Sequence, residues 1–148
     1  MKRALIIVDH GSRLEEANRM LERLAGHLRR LSGQAVHVAH MELAEPSIAQ
    51  AFDAAVAGGA EFVFVFPCLV APGRHSRRDI PAQCAAAAAR HPGLKWHCSG
   101  PIGADEMLAR LILDRLERCA AGDYRCEDCP DFPECREEPG DAPARPAE

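Results

Sequence analysis

Residues 61–81, EFVFVFPCLVAPGRHSRRDIP, decide the fold of this chain. Residues 62–66 alternate only between phenylalanine and valine, so they predict a strand that is covered on both faces rather than one with a face in water. Pro67 lacks the N–H that a β-ladder needs and ends that strand. The arginine-rich segment after it is predicted to be a loop, with Asp79 as the N-cap of the next helix. Open α/β sheets bind ligands at such loops, at the carboxyl ends of their central strands.

The same order of apolar strand and amphipathic helix occurs four times along the chain. Strands are predicted at residues 4–8, 35–41, 62–66 and 94–98, and helices begin near Leu14, at Pro46, after Asp79 and near Ala104. Strands that alternate with helices imply right-handed crossovers. We therefore predict an α/β fold with a four-stranded parallel sheet flanked by helices on both faces. The expected flavodoxin-like strand order, counted along the chain, is 2-1-3-4, with its switch point between the first and third strands.

Length and composition predict one globular domain with a tail. The chain has 148 residues, and we place an α/β domain at 1–119 and a cysteine-containing, Pro-rich and acidic segment, expected to be disordered, at 120–148. A net charge of −4 argues against nucleic acid as a partner, and the longest apolar run is too short to cross a membrane. The N-terminus lacks a signal-peptide cleavage site, so a cytoplasmic protein with reduced or metal-bound cysteines is expected.

Two histidines follow the two strands that flank the switch point. His10 comes after the first strand and His75 after the third, so the topology predicts that they share one crevice. A pair of neutral imidazoles suits a divalent metal such as Fe²⁺, Co²⁺, Ni²⁺ or Zn²⁺, and imidazoles also accept protons near neutral pH. Glu42, after the second strand, either adds a carboxylate there or is a solvated loop residue. His40 is ambiguous, and the other histidines are interpreted as structural: His27, His37, His91 and His97.

Four arginines surround the two histidines, against the acidic balance of the chain. They are Arg13, Arg74, Arg77 and Arg78, and Ser12 lies beside the first of them. A solvated charge run is the ordinary interpretation of such a cluster. The alternative is that the arginines and Ser12 bind substrate, since guanidinium groups match carboxylates with two parallel hydrogen bonds.

Three motifs then identify a family resemblance. VDHGSR at 8–13, MELAEPSI at 41–48 and GRHSRRDIP at 73–81 closely resemble the small CbiX/SirB-type sirohydrochlorin chelatases of the class II chelatase family, over roughly the first 116 residues. Two departures are Val8-Asp9, where many relatives have a glycine or small residue before the histidine, and the tail, which only some relatives carry.

The resemblance implies a lyase that inserts Co²⁺ or Fe²⁺, or Ni²⁺, into sirohydrochlorin during sirohaem or cobalamin-type tetrapyrrole biosynthesis. It implies that His10 and His75 carry the metal and proton chemistry, with Glu42 at the same site. It also implies a homodimer, because the short members resemble half of the longer ones. A different class of function is a metal carrier or sensor without tetrapyrrole chemistry, although such a protein would have no use for arginine anchors.

Four cysteines near the C-terminus form a separate pattern. They are Cys119, Cys126, Cys129 and Cys135, within seventeen residues. Four thiolates suit either an iron–sulfur cluster or structural zinc, and the lack of a second CxxC pair weakens a zinc ribbon. The resemblance favours the cluster, while zinc and no metal at all stay open.

Overall fold

The computed structural model describes residues 1–122. Strands and helices alternate strictly within them: β1 (Arg3–Asp9), α1 (Glu15–Ser32), β2 (Ala35–His40), α2 (Ile48–Ala57), β3 (Phe62–Pro67), α3 (Ile80–Ala88), β4 (Lys95–Cys98) and α4 (Glu106–Ala121). The chain divides into two compact units, one of Met1–Ala104 and one that begins at Asp105. The sheet, α1, α2 and α3 belong to the first unit.

The four strands form one parallel sheet in the order β2-β1-β3-β4. The predicted fold class and strand order are therefore confirmed. β1 is central, with Asp9 opposite His40 of β2 and Val8 opposite Pro67 of β3. Because all strands run in the same direction, the segments after β1, β2 and β3 leave the sheet at the same edge.

Alternation along the strands divides the core of the first unit between two faces. Ile6, Val63 and Val65 are fully buried on the face that α2 and α3 cover, together with Phe52 of α2. On the other face, Ile7 packs against α1 in a smaller cluster. Burying a side chain of this size contributes about 1.5–3 kcal/mol, so the α2–α3 face supplies most of the hydrophobic stabilisation.

β3 departs from the prediction that both of its faces are covered. Within Met1–Ala104, its phenylalanines line an apolar groove of about 750 Å³ on the α1 side of the sheet. Phe64 remains 37% exposed. The reason is that α1 packs mainly over β2, and within this unit no other helix lies on that face.

Two predicted helix starts are also corrected. Pro46 is not the first residue of α2, which begins at Ile48 after Ser47 has formed a capping box with Gln50. Asp79 is not an N-cap, because it lies inside a continuous helical segment and has helical dihedral angles. The predicted basic loop is instead a π-helical turn, His75–Asp79, that leads directly into α3.

The second unit is described here by α4 alone. Asp105 caps it, since its Oδ1 accepts a hydrogen bond from the backbone N–H of Met107 at 2.8 Å. Cys119 lies in this helix, which continues through Ala121 and so includes the first two residues of the segment predicted to be disordered, whereas Cys126, Cys129, Cys135 and the rest of that segment lie outside the described residues. The domain boundary after residue 119 stays a prediction. No helix within residues 1–122 is both long and apolar enough to span a bilayer.

The β1–β2 ladder continues past the ends of the two strands. The N–H of Met41 donates to the carbonyl of Asp9 at 2.9 Å, and that of Glu42 donates to the carbonyl of His10 at 3.1 Å. Gly11 lies so close to this second loop that a Cβ on it would be 2.0 Å from the Glu42 carbonyl oxygen, and its φ is +84°. A residue without a side chain is therefore required at position 11.

We expect Gly11→Ala to lower the free energy of unfolding by at least about 2 kcal/mol, because positive φ alone costs an L-residue about 1–2 kcal/mol and the Glu42 backbone must also move. Gly33→Ala is the matched control, since Gly33 also has positive φ (67°) but an added Cβ would contact nothing within 4 Å. Urea unfolding of both variants measures the difference. Equal losses would show that the close approach of the two loops contributes nothing.

Candidate functional site

His10 and Glu42 meet at the edge where β1 and β2 end. His10 Nε2 lies 2.7 Å from Glu42 Oε1. The contact follows from the parallel register, because the extended ladder places the residue after Asp9 beside the second residue after His40. The sequence left Glu42 open between a site residue and a solvated one, and the structure brings it to His10.

His75 reaches the same place from the end of β3. It is the first residue of the π-helical turn, and its ring centroid lies 5.1 Å from that of His10 with the ring planes at 70°. Its Nδ1 is 2.9 Å from Asp79 Oδ2, one helical turn further on. The two histidines that the sequence placed at one edge are thus neighbours in the structure.

The hydrogen bonds fix which ring nitrogens can act on a ligand. Nδ1 of His75 donates to the Asp79 carboxylate, and Nδ1 of His10 donates to the Gly11 carbonyl at 3.3 Å, since a carbonyl can only accept. Each Nε2 is thereby directed to outside partners, and at His10 that partner is the Glu42 carboxylate. These two Nε2 atoms are therefore the ones that can bind a divalent cation.

The three side chains form an open site rather than an enclosed cavity. The side chains of His10, Glu42 and His75 are 40%, 54% and 49% exposed. Among residues 1–122, no three His, Cys, Asp or Glu side chains already converge as a ready-made metal site. Two imidazoles and a carboxylate with this freedom can gather around a cation that arrives from solvent, and they can release it again.

The predicted substrate-binding residues lie in the same two segments as His10 and His75. The side chains of Arg13, Arg77 and Arg78 are exposed and make no hydrogen bond or ion pair within residues 1–122, and that of Arg74 makes only a 3.5 Å contact with Asp79. Ser12 differs, because its hydroxyl accepts a hydrogen bond from the N–H of Leu14 at the start of α1. The arginine forks are therefore available to an anionic ligand.

The thiol nearest this edge is not available as a thiolate. Burial, together with the neighbouring Asp9 carboxylate, raises the pKa of Cys68 to about 11. The interior Cys84 thiol has a pKa raised by its hydrogen bond with Cys98 and by burial. Nitrogen and oxygen are therefore the donor atoms at this edge.

Three partners of the site were missed by the sequence reasoning. Asp9 pairs with the buried His40, Asp79 pairs with His75, and Asn18 exchanges two hydrogen bonds with the backbone of Ser12. The Asp9–His40 pairing could have been found by aligning the ends of two adjacent parallel strands. The other two depend on helical spacing in segments whose exact starts the sequence did not show.

Comparison with known proteins identifies the family of this chain. The CbiX family model matches residues 4–119. A relative from Arabidopsis thaliana, named sirohydrochlorin ferrochelatase, chloroplastic, is 43% identical over 116 residues, which are 78% of this chain and 52% of the relative. The sirohydrochlorin cobaltochelatase of Sulfurisphaera tokodaii is 32% identical over 113 residues, 76% of this chain and 90% of that protein.

A solved structure with the same fold is the sirohydrochlorin chelatase SirB from Bacillus subtilis subspecies spizizenii in complex with cobalt. It has a TM-score of 0.75 and 31% identity, and the match covers 81% of this chain and 52% of that one. The chain thus spans about half the length of the Arabidopsis and Bacillus proteins. Since the family match extends over β1 to α4 and includes all three motifs, this chain belongs to the CbiX family.

Proposed function

We propose that this protein is a chelatase that inserts Co²⁺ or Fe²⁺, or Ni²⁺, into sirohydrochlorin. The observation that carries the proposal is the meeting of His10, Glu42 and His75 at one sheet edge among unpaired arginines. The names of the relatives support the substrate, because they include both ferrochelatases and cobaltochelatases of sirohydrochlorin.

In this reaction the metal ion is a substrate that must lose water before it enters the ring. His10 Nε2, His75 Nε2 and the Glu42 carboxylate replace water ligands around it. As the cation enters, two pyrrole nitrogens each lose a proton, and the imidazoles or Glu42 accept them as general bases. Because the Nδ1 atoms of the two histidines are held by hydrogen bonds, each Nε2 remains available to the metal ion.

The arginines have a different task, which is to hold the macrocycle. Sirohydrochlorin carries acetate and propionate groups around its rim. Arg13 is exposed in the loop after β1, and Arg74, Arg77 and Arg78 are exposed in the helical segment that contains His75. Binding the rim at several points orients the ring nitrogens towards the metal, and orientation of this kind lowers a barrier substantially.

A metal carrier or sensor is the competing function, and the relatives do not favour it. The decisive assay mixes the full chain with metal-free sirohydrochlorin and Fe²⁺, Co²⁺ or Ni²⁺ in turn. A chelatase changes the absorption spectrum of the tetrapyrrole faster than the uncatalysed control does, whereas a carrier binds the metal and leaves that rate unchanged or slower. The series over three metals also ranks them as substrates.

We expect His75→Ala to lower kcat for metal insertion on the order of 100-fold or more, the usual contribution of a positioned acid–base group. Its melting temperature should stay close to that of the wild type, since the side chain is 49% exposed and contributes little to the core. His27→Ala is the control, because His27 is an exposed histidine on α1 whose ring hydrogen-bonds with Arg30. Wild-type kcat in the His75 variant would remove His75 from the mechanism.

For the arginines, we expect Arg77→Ala and Arg78→Ala to raise KM for sirohydrochlorin more than they lower kcat, because they supply binding that is uniform along the reaction. Arg23→Ala should change neither parameter, because Arg23 is exposed on α1 and its side chain has no ion-pair partner within residues 1–122. Added salt should raise the wild-type KM by screening these contacts. If KM were independent of both salt and substitution, the arginines would be a solvated surface.

Homodimerisation and the cysteine segment complete the proposal. A flat macrocycle on this open edge leaves its other face in water, and a second copy would cover it, in line with relatives of about twice the length.

We assign Cys119, Cys126, Cys129 and Cys135 to an iron–sulfur cluster, with zinc as the alternative, and route no catalytic step through it. Cytoplasmic placement belongs to the same proposal, since such thiols need a reducing compartment.

A chain that ends at Gly122 should still dimerise and metallate sirohydrochlorin, because the three site side chains belong to Met1–Ala104. It should lose the iron–sulfur absorption band at about 400 nm. Anaerobic purification of the full chain, with iron and acid-labile sulfide assays, provides the reference. Stoichiometric zinc without iron would contradict the cluster, and a fully active monomer in sedimentation would contradict the dimer.

A further inference from the structure

We propose that the Asp9–His40 pair is a positioning device that holds the loop after β1 and thereby orients His10 and Glu42 for metal insertion. The inference rests on the proposed function and adds two residues that do not touch the substrate. It joins three observations: a buried histidine, a carboxylate with two partners, and a ladder that extends beyond its strands.

His40 is the buried half of the pair. The residue is 2% exposed, and its Nδ1 lies 2.5 Å from Asp9 Oδ1. A buried polar side chain needs a partner, because losing one leaves a donor or acceptor without compensation for its lost hydration. Since the two residues are opposite each other at the end of the β1–β2 ladder, their side chains join the two strands where both loops begin.

Asp9 transmits this contact to the loop that carries His10. The same Oδ1 atom accepts the N–H of Gly11 at 2.9 Å, and the Gly11 carbonyl accepts from His10 Nδ1 at 3.3 Å. The order of contacts is therefore His40, Asp9, Gly11 and the His10 ring. Outer partners that set the orientation of a metal-binding histidine commonly change metal affinity or activity by about 10–100-fold when they are removed.

His40 acts on the second loop as well, through its backbone. Its N–H donates to the Pro46 carbonyl at 2.8 Å, which closes the segment that carries Glu42 back onto β2. The two backbone bonds from Met41 and Glu42 to Asp9 and His10 then link this segment to the first loop. The Asp9–His40 pair is thus connected by hydrogen bonds to both segments that form the 2.7 Å His10–Glu42 contact.

A second histidine–aspartate pair shows what a purely structural version looks like. His91 Nε2 lies 2.8 Å from Asp53 Oδ1 and joins the end of α3 to α2, while Arg90 binds the other oxygen of the same carboxylate. Within residues 1–122, the side chains of these three residues make no hydrogen bond or ion pair with the segments that carry His10, Glu42 or His75. His91→Leu is therefore the matched control for His40→Leu.

The test compares His40→Leu, His40→Asn, Asp9→Ala and His91→Leu in the full chain. Asparagine is the conservative replacement, because its amide nitrogen occupies roughly the place of Nδ1 and still donates to Asp9. Asp9→Ala supplies a second disruption at a more exposed position, in case His40→Leu does not fold. Three readouts are needed: kcat and KM for metal insertion, calorimetric affinity for Co²⁺ alone, and amide hydrogen exchange of Gly11.

We expect His40→Leu and Asp9→Ala to lower kcat and Co²⁺ affinity by about 10–100-fold, with KM for sirohydrochlorin unchanged because the arginines remain. Gly11 exchange should accelerate while the exchange of β1 core amides does not, and His40→Asn should restore most of each value. His91→Leu should lower only the melting temperature.

Wild-type kcat, Co²⁺ affinity and Gly11 exchange in a folded disruptive variant would overturn the inference, and so would a failure of His40→Asn to restore them. If the wild type did not accelerate metal insertion, the proposed function would fall. The Gly11 exchange comparison would still decide the role of the pair, because it requires neither metal nor tetrapyrrole.

Discussion

The parallel pairing of β1 with its two neighbours is the constraint on which the candidate site depends. In a parallel sheet every strand delivers its following loop to the same edge, so residues far apart in sequence become neighbours without any specific contact between them. Here the ladder also continues beyond the strands, through the bonds from Met41 and Glu42 to Asp9 and His10. A slip of one residue in the β1–β2 register would turn every side chain of a strand to the opposite face. It would separate His10 from Glu42 and His40 from Asp9 together.

This constraint explains how much of the site could be predicted. Continuous apolar runs indicate buried strands and helical periodicity indicates amphipathic helices, so the strand order and the shared edge of His10 and His75 followed from the sequence. The partners that hold them did not, because Asp9–His40 depends on register and His75–Asp79 on a helical turn. The helical turn was hidden because Gly73 and the cluster of charged residues read as a loop, whereas the backbone continues as a helix from Arg74 into α3.

The error at β3 has a different physical origin. Continuous apolarity in a strand predicts that both of its faces are covered, but it does not say which element covers them. Within Met1–Ala104, α2 and α3 cover one face, and α1 covers only the β2–β1 half of the other. Phe62, Phe64 and Phe66 therefore line a groove. The sequence correctly indicated that both faces of β3 are apolar. It did not show that, within Met1–Ala104, helices cover only one of these faces completely.

The donor atoms at the edge bear on the choice of metal. With the pKa of Cys68 raised to about 11 by burial and by Asp9, the available donors are two imidazoles and a carboxylate. Such a set suits borderline divalent ions such as Fe²⁺, Co²⁺ and Ni²⁺, whereas thiolates would favour Cu⁺ and hold Zn²⁺ firmly. A metal ion that is passed to a macrocycle must also dissociate from its protein ligands. The three exposed side chains meet that requirement better than a closed cage would, because each can be replaced by a pyrrole nitrogen without uncovering a buried charge. The openness that distinguishes this site from a structural metal centre is thus what the proposed reaction needs.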